Sequence, residues 1–220
     1  LNTLSDKNGG FFASQDADGE DKYYGKPLEA RKKMPQPFID RTIYADLNGL
    51  ALRSLLVYFD VTKDKPVAEF IAKTFSFLEK FYSRERGFAH CLDKSPLHLG
   101  LMRDQINMAL TYLEAHRILG KKEYLEKSRE IAGFILKKFH DSEGGFWDKL
   151  PGGEGKLSVR EKRIGENARA ALLFHGLGET KIAEEALEVF ALDYKMYGPL
   201  AGEYGLAVER VLGNEIAGQV

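Results

Sequence analysis

Apolar residues recur at helical spacing in seven segments of the chain, and most of these segments come in pairs. The predicted helices cover about residues 46–59, 66–81, 101–119, 123–139, 161–176, 181–194 and 205–213. In the first helix one apolar stripe is expected to face the core, and it consists of Leu47, Leu50, Ala51, Leu55 and Tyr58. Pro66 suits the first turn of the second helix, and Gly120 is a typical C-cap for the third. The pattern therefore predicts helical hairpins.

The hairpins repeat one another. Five landmarks of the first hairpin return 58 residues later, namely Asp46 at Asp104, Ala51 at Ala109, Phe81 at Phe139, Gly87 at Gly145 and Phe88 at Phe146. A third copy begins near Glu166, which is followed by Ala171 and Leu172 at the same spacing. Repeats built from two helices stack, because one hairpin cannot bury both of its apolar faces alone.

Stacked hairpins form either an open solenoid or a closed α/α toroid. A Gly-Phe segment follows each of the first two hairpins, and another opens the chain at Gly10-Phe11. Such aromatic segments favour the toroid, since turns in solenoids are usually short and polar. We therefore predict an all-α fold of about three and a half αα-hairpins, part of an (α/α)6 toroid, with short extended or loop segments after alternate helices. The aromatics either line one mouth of the ring or close the ends of the hairpin core.

The chain reads as one unit over residues 1–220, with an irregular region over 1–37 and helical hairpins over 38–213. Pro27, Pro35 and Pro37 prevent a long helix in the first region. That region also holds a dense acidic run from Asp16 to Asp21.

The composition of the chain excludes some classes of function. The 32 Lys and Arg residues balance 33 Asp and Glu residues, which leaves a formal charge of -1. No global field then attracts nucleic acid or an anionic membrane, so we expect neither as a partner. Cys91 is the single cysteine, and no histidines stand at zinc-ligand spacing. We expect a cytoplasmic protein without a metal or another cofactor.

Two ordered motifs resemble a known family. The segment G-G-F-F-A-S-Q-D-A-D, residues 9–18, is similar to the G-G-F-Y-S-A-x-D-A-D segment of the thioredoxin-domain-containing family related to spermatogenesis-associated protein 20. Further on, Asp40, Ile43 and D-L-N-G-L at residues 46–50 resemble that family's D-K-x-L-x-x-W-N-G-L segment.

The resemblance implies an N-terminal thioredoxin-like domain followed by an α/α toroid like that of six-hairpin glycosidases and N-acylglucosamine 2-epimerases. This chain would then cover the later part of the toroid, with the thioredoxin-like domain and earlier hairpins lying upstream. The sequence departs from the family at Leu47, where the family has Trp. It also lacks a C-x-x-C pair, so no thiol redox activity is assigned to these residues.

In a toroid the acids at the helix starts would converge on one cavity. Asp46, Asp104 and Glu166 are therefore the candidate catalytic residues, because paired carboxylates perform glycoside hydrolysis. The alternative is structural, since capping and the helix dipole also favour acids at helix N-termini.

Further polar side chains near the same helix starts are candidate substrate-binding groups. Amides and guanidinium groups bind sugar hydroxyls or a carboxylate, and they also serve as helix-end partners for the acids. The candidates are Asn48, Arg103, Asn107, Arg163 and Asn167. Trp147 is added as an aromatic of a Gly-Phe loop, and Asp16 and Asp18 as the family-specific carboxylates, which could instead hold a turn. His90 and His98 occupy a plausible rim position.

The sequence thus supports a carbohydrate-active or sugar-binding module with an unknown reaction. The alternative is a non-enzymatic interaction module that partners a thioredoxin-like domain. A deep polar cavity would favour the first hypothesis, and a flat exposed patch of aromatics would favour the second.

Overall fold

The structure is a computed structural model that describes residues 3–16, 22–91, 95–152 and 154–217. The helices are α1 (Leu28–Arg31), α2 (Ala45–Thr62), α3 (Lys65–Leu78), α4 (Met102–Leu119), α5 (Lys122–Phe139), α6 (Ile164–Gly176), α7 (Thr180–Glu188) and α8 (Gly202–Ala217). Three 3-10 segments cover Glu79–Phe81, Gly155–Ser158 and Tyr194–Ala201. Strand β1 (Ser14–Gln15) pairs antiparallel with β2 (Ile39–Asp40), and β3 (Tyr82–Ser83) with β4 (Gly87–Phe88).

Helices α2, α4, α6 and α8 form one layer in which each contacts the next. Helices α3, α5 and α7 pack behind this layer, each against the helix that precedes it in the chain. The core lies between the two layers and includes fully buried Leu52, Ile106, Ile131 and Leu173. Three stacked hairpins followed by α8 therefore confirm the predicted all-α architecture of about three and a half hairpins.

The predicted helix ends agree well in the first two hairpins. Asp64 caps α3 with its side chain, and Pro66 lies in the first turn of that helix. Gly120 ends α4 with a left-handed backbone, φ 70°. In the third hairpin α7 ends at Glu188, although the apolar pattern predicted a helix to about Tyr194. The chain turns there and places Phe190 against Tyr204 of α8, with ring centroids 6.2 Å apart.

The predicted buried face of α2 was wrong. Leu47, Leu50 and Tyr58 are exposed, whereas Leu52 and Leu56 are fully buried. The reason is that one side of α2 contacts α4 and α3, while the other side has no helix against it among the described residues. Its buried face also contains the polar residues Asp46 and Asn48, which a purely hydrophobic pattern excludes.

The Gly-Phe segments are three copies of one turn. In each copy the phenylalanine bridges a residue six positions earlier, in the pairs Ser5–Phe11, Tyr82–Phe88 and His140–Phe146. Phe88 and Phe146 are buried in the core. Of the two roles proposed for these aromatics, these two therefore close the ends of the hairpin core.

An amide side chain from the next inner helix holds each turn. The Oδ1 of Asn48 accepts a hydrogen bond from the Phe11 N–H at 2.7 Å, and its Nδ2 donates to the Phe11 carbonyl at 3.0 Å. Gln105 makes the same pair of bonds to Phe88, at 2.8 and 3.0 Å, and Asn167 to Phe146, at 2.7 and 3.0 Å.

The same three amides show which positions of the repeats are equivalent, and we call this alignment the frame of the repeat. Each also donates to the carbonyl four residues earlier, at the residue before the first helical one: Tyr44, Leu101 and Arg163. In this frame Asp104 and Glu166 are third residues of their helices, but Asp46 is a second residue. The equivalence predicted between Asp46 and Asp104 is therefore off by one position, and Arg103 is the residue that matches Asp46.

None of the helices in the described part of the chain has the length and apolar character needed to cross a membrane.

Candidate functional site

The turns bring a second set of side chains to the starts of the inner helices. The backbone carbonyl of His90, two residues after Phe88, accepts the first N–H of α2 at 3.0 Å. The carbonyl of Asp148, two residues after Phe146, accepts the first N–H of α4 at 2.8 Å. Because these bonds fix the loop against the helix ends, the side chains of His90 and Asp148 lie near the candidate acids.

Asp46 and Asp104 meet at one end of α2 and α4. Nη2 of Arg103 lies 2.6 Å from Oδ2 of Asp46. Nδ1 of His90 lies 2.9 and 3.1 Å from the two carboxylate oxygens of Asp104. Both carboxylates are buried, so each has a cationic or hydrogen-bonding partner in place of water.

One donor atom from each of Asp46, His90 and Asp104 lies within 4.8 Å of the others, which is a spacing that could hold a metal ion. No metal was predicted here from the sequence. The guanidinium of Arg103 and the imidazole of His90 lie against these two neighbouring carboxylates. Oδ1 of Asp46 has no hydrogen-bond partner among the described residues.

The pKa values of His90 and Asp104 are both raised above their ordinary values. The hydrogen bond to Asp104 raises the pKa of the His90 imidazole, although burial partly opposes the effect. Burial raises the pKa of Asp104, the hydrogen bond from His90 opposes that change, and the charge of Asp46 adds to it. Such shifts in a cluster of titratable groups are typical of functional sites, and they also occur in structural ion-pair networks.

Glu166 borders a cavity of about 660 Å³. The cavity lies at the start of α6 and is also lined by Arg103, Arg163, Arg169, Tyr197 and Glu203. Burial of the Glu166 carboxyl raises its pKa to about 7, and the charge of Asp148 adds to the increase, while Arg163, Arg103 and Arg169 oppose it. Oε2 of Glu166 has no hydrogen-bond partner among the described residues. A carboxyl of this kind can give or take a proton at neutral pH.

The arginines of the cavity differ in how firmly they are paired. Arg169 is held by both carboxylate oxygens of Glu203 at 2.8 Å. Among the described residues, the ion-pair contacts of Arg163 are long, 3.4 Å to Asp148 and 3.8 Å to Glu161, and its side chain is 53% exposed. Arg163 therefore retains donors that can reach a ligand.

Arg103 thus lies between the three predicted catalytic residues. Asp46 and Asp104 lie together, and Arg103 pairs with Asp46 while its charge also acts on Glu166. The N-cap residues of α2, α4 and α6 are Tyr44, Leu101 and Arg163, and none of them caps its helix with its side chain. The acids lie within the first turns of these helices, where the helix dipole favours them.

The other predicted binding residues occupy several places. The amides of Asn48 and Asn167 face the loop backbone and do not line the cavity. Asn107 is fully buried in α4, and neither atom of its amide has a partner among the described residues. Trp147 lies against Lys162, whose Nζ is 5.1 Å from the ring centroid and which lines the cavity.

Of the two acidic N-terminal candidates, Asp16 does not line the cavity. Asp16 is exposed at the end of β1, where its backbone carbonyl accepts the hydroxyl of Tyr24. Asp18 lies outside the described residues.

Two residues of the site were underestimated from the sequence. Asp148 was not predicted to be a site residue, and His90 was predicted only to lie at the rim. They stand 58 residues apart, which is the offset of the repeat. Applying that offset to polar loop residues would have identified both.

Comparison with known proteins identifies the fold but not a family. No protein-family model matches the chain, and no curated protein matches it in sequence. Among solved structures, cellobiose 2-epimerase from Spirochaeta thermophila matches 90% of this chain with a TM-score of 0.66 and 17% identity. A family 76 glycoside hydrolase from a bovine Bacteroides thetaiotaomicron strain matches 70% with a TM-score of 0.60 and 12% identity.

A third structure, the unsaturated glucuronyl hydrolase from Bacillus sp. GL1, matches 68% of the chain with a TM-score of 0.56 and 15% identity. The chain spans 51%, 36% and 46% of these three proteins, respectively. The prediction of a toroid is thereby confirmed, since the stacked helix pairs share the six-hairpin (α/α) fold of carbohydrate-active enzymes.

Proposed function

We propose that the chain binds a carbohydrate in the 660 Å³ cavity and that Glu166 exchanges a proton with it. The observation that carries this proposal is the buried Glu166 carboxyl, whose pKa is raised to about 7 and whose Oε2 is unpartnered among the described residues. A group that titrates near neutral pH suits both hydrolysis and epimerisation of a sugar, because each needs proton transfer.

The neighbouring groups have separate roles in this proposal. Arg163 binds the ligand, and Arg169 and Glu203 form a fixed wall of the cavity. Asp148 keeps the Glu166 proton in place by adding negative charge beside it. Arg103 links this cavity to the Asp46, His90 and Asp104 cluster, which supplies further carboxylates.

The test uses cellobiose, because a cellobiose 2-epimerase is among the structural neighbours. It also uses α-1,6-linked mannotriose, because the α-1,6-mannanase from Salegentibacter sp. matches 66% of the chain with a TM-score of 0.52 and 18% identity. Binding is measured by calorimetry and turnover by chromatography, from pH 5 to pH 9. As a general acid, Glu166 is protonated below about pH 7. Turnover should then fall as the pH rises above 7, and Glu166→Gln should lower it by about a hundredfold or more.

Glu123→Gln is the control, because Glu123 lies on α5, does not line the cavity and has a side chain that is 68% exposed. Its turnover should stay near that of the wild type. Full turnover by the Glu166→Gln protein would exclude the proposed proton transfer.

A second candidate function rests on the exposed face of α2. Leu47, Leu50, Val57, Tyr58 and Val61 are all exposed and recur at helical spacing on this helix. We propose, as the alternative, that this face packs against a further domain, such as the thioredoxin-like domain of the family that the two sequence motifs resemble. Val57→Asp with Val61→Asp should then abolish binding of such a domain, and unchanged binding would exclude this face.

A further inference from the structure

Arginine side chains are concentrated on the four helices of the inner layer and at their starts. The 660 Å³ cavity is lined by Arg103, Lys162, Arg163 and Arg169 against Glu161, Glu166 and Glu203. A second cavity, of about 440 Å³, is lined by Arg53, Arg117 and Arg210 against Glu114, with His116 and His175 beside them. The linings of these two cavities therefore hold more cationic than acidic side chains, although the whole chain carries a formal charge of -1.

The two cavities share one electrostatic environment. Arg53 on α2 lines the second cavity, and it is influenced by the charges of Arg169 and Glu203, which line the first. Burial lowers the pKa of the Arg53 guanidinium, and the charges of Arg169 and Arg210 add to this effect, while the charges of Glu114 and Glu203 oppose it. Arg53 thus lies among both arginines and carboxylates.

Two carboxylates that line these cavities are already paired with other arginines. Glu203 is occupied by Arg169, and Glu114 by Arg117 at 2.8 Å. Within the part of the chain that the structure describes, Arg53 has no carboxylate within ion-pair distance, and the contacts of Arg163 are long. A guanidinium that is partly desolvated and unpaired is the group best suited to bind a carboxylate or phosphate in two parallel hydrogen bonds.

We infer that the ligand of this site is an anionic carbohydrate, whose acidic groups are bound by Arg163 in the first cavity and by Arg53 in the second. This inference rests on the proposed function, since it names the substrate class of the same site. It goes further because the second cavity and Arg53 are added to the binding surface. A neutral sugar offers no charged partner to either guanidinium group.

Calorimetry with two matched pairs of ligands tests the inference. Tri-galacturonate is compared with its methyl ester, which keeps the sugar chain and removes the charge, and glucose 6-phosphate is compared with glucose. The acid of at least one pair should bind about tenfold more tightly or better than its neutral partner, and its affinity should fall as salt is raised. The pair that responds identifies carboxylate or phosphate as the recognised group.

Variants locate the binding groups. Arg53→Gln and Arg163→Gln should each weaken binding of the acid by about five- to tenfold and weaken binding of the neutral partner by less. Arg84→Gln is the control, because Arg84 is 83% exposed and pairs with Glu130 on α5. Thermal melts of all three variants verify that they fold.

The outcomes separate this inference from the function on which it rests. Equal binding of acids and neutral partners would overturn the anionic class and leave sugar binding intact. Binding of neither pair, with cellobiose still bound, would also overturn it. If no sugar binds at all, both the inference and the proposed function fail. An acid bound equally well by the Arg53→Gln and Arg163→Gln variants would contradict the assigned residues.

Discussion

At the scale of single residues, the glycine before each buried phenylalanine is constrained by its neighbours as well as by its backbone. Gly87 has φ 71°, and a Cβ there would lie 2.4 Å from Oε1 of Gln105 and 2.7 Å from the Phe134 ring. Gly145 has the same φ, and its Cβ would lie 3.0 Å from Oδ1 of Asn167. Only glycine therefore allows the amide to reach the turn.

Gly87→Ala tests this constraint, with Gly120→Ala as the matched control. Gly120 has φ 70°, but a Cβ there would meet nothing within 4 Å. Both substitutions cost about 1 kcal/mol for the left-handed backbone. Gly87→Ala should cost at least about 2 kcal/mol more in denaturant unfolding, because it also displaces Gln105. Equal losses of stability would mean that the close contact has no energetic effect.

At the scale of elements, the repeated unit is a turn joined to the next inner helix by an amide. Gln105 takes the place of Asn48 and Asn167, so the residue type varies while the two hydrogen bonds to the phenylalanine backbone persist. Each amide satisfies a backbone N–H and a carbonyl that the fold would otherwise bury without partners. This joint also fixes the loops that carry His90 and Asp148.

Substitutions of two buried amides on α4 separate the effect of holding the turn from the effect of burial alone. Gln105→Ala removes the partners of the Phe88 N–H and carbonyl, so we expect a loss of about 3 kcal/mol in the free energy of unfolding. Asn107→Ala removes an amide that has no partner among the described residues, so the loss should be smaller by about 2 kcal/mol. Chemical denaturation measures both. A larger loss for Asn107→Ala would contradict the structural role given to Gln105.

At the scale of the whole molecule, much of the fold could be predicted because each hairpin carries its own local signals. Pro66 and Gly120 mark helix ends through backbone chemistry, and the 58-residue offset reveals the stacking. The exposed face of α2 could not be predicted, because exposure depends on which helices lie beside it. Periodicity alone cannot show that one face of a helix has no neighbour.

Part of the site could be predicted because some of its residues stand at helix starts, which the sequence marks. Acids at helix starts are visible in the sequence, so Asp46, Asp104 and Glu166 could be selected. The one-residue difference between Asp46 and Asp104 depends on loop length, and only the hydrogen bonds of the amides fix it. The place of Asp148 follows from the turn that carries it and not from a helical pattern. The excess of cationic side chains in the two cavity linings is hidden by the balanced charge of the whole chain.

The central claim is that Glu166 is a protonatable group in a sugar-binding cavity. The most direct test is an NMR titration of the Glu166 side-chain carboxyl, assigned with the Glu166→Gln variant, with and without tri-galacturonate and cellobiose. We predict a midpoint near pH 7 in the free protein, since burial raises the pKa of this carboxyl to about 7, and a shift of its resonance when a sugar binds. A midpoint near 4.5, with no change in the presence of either sugar, would contradict the account.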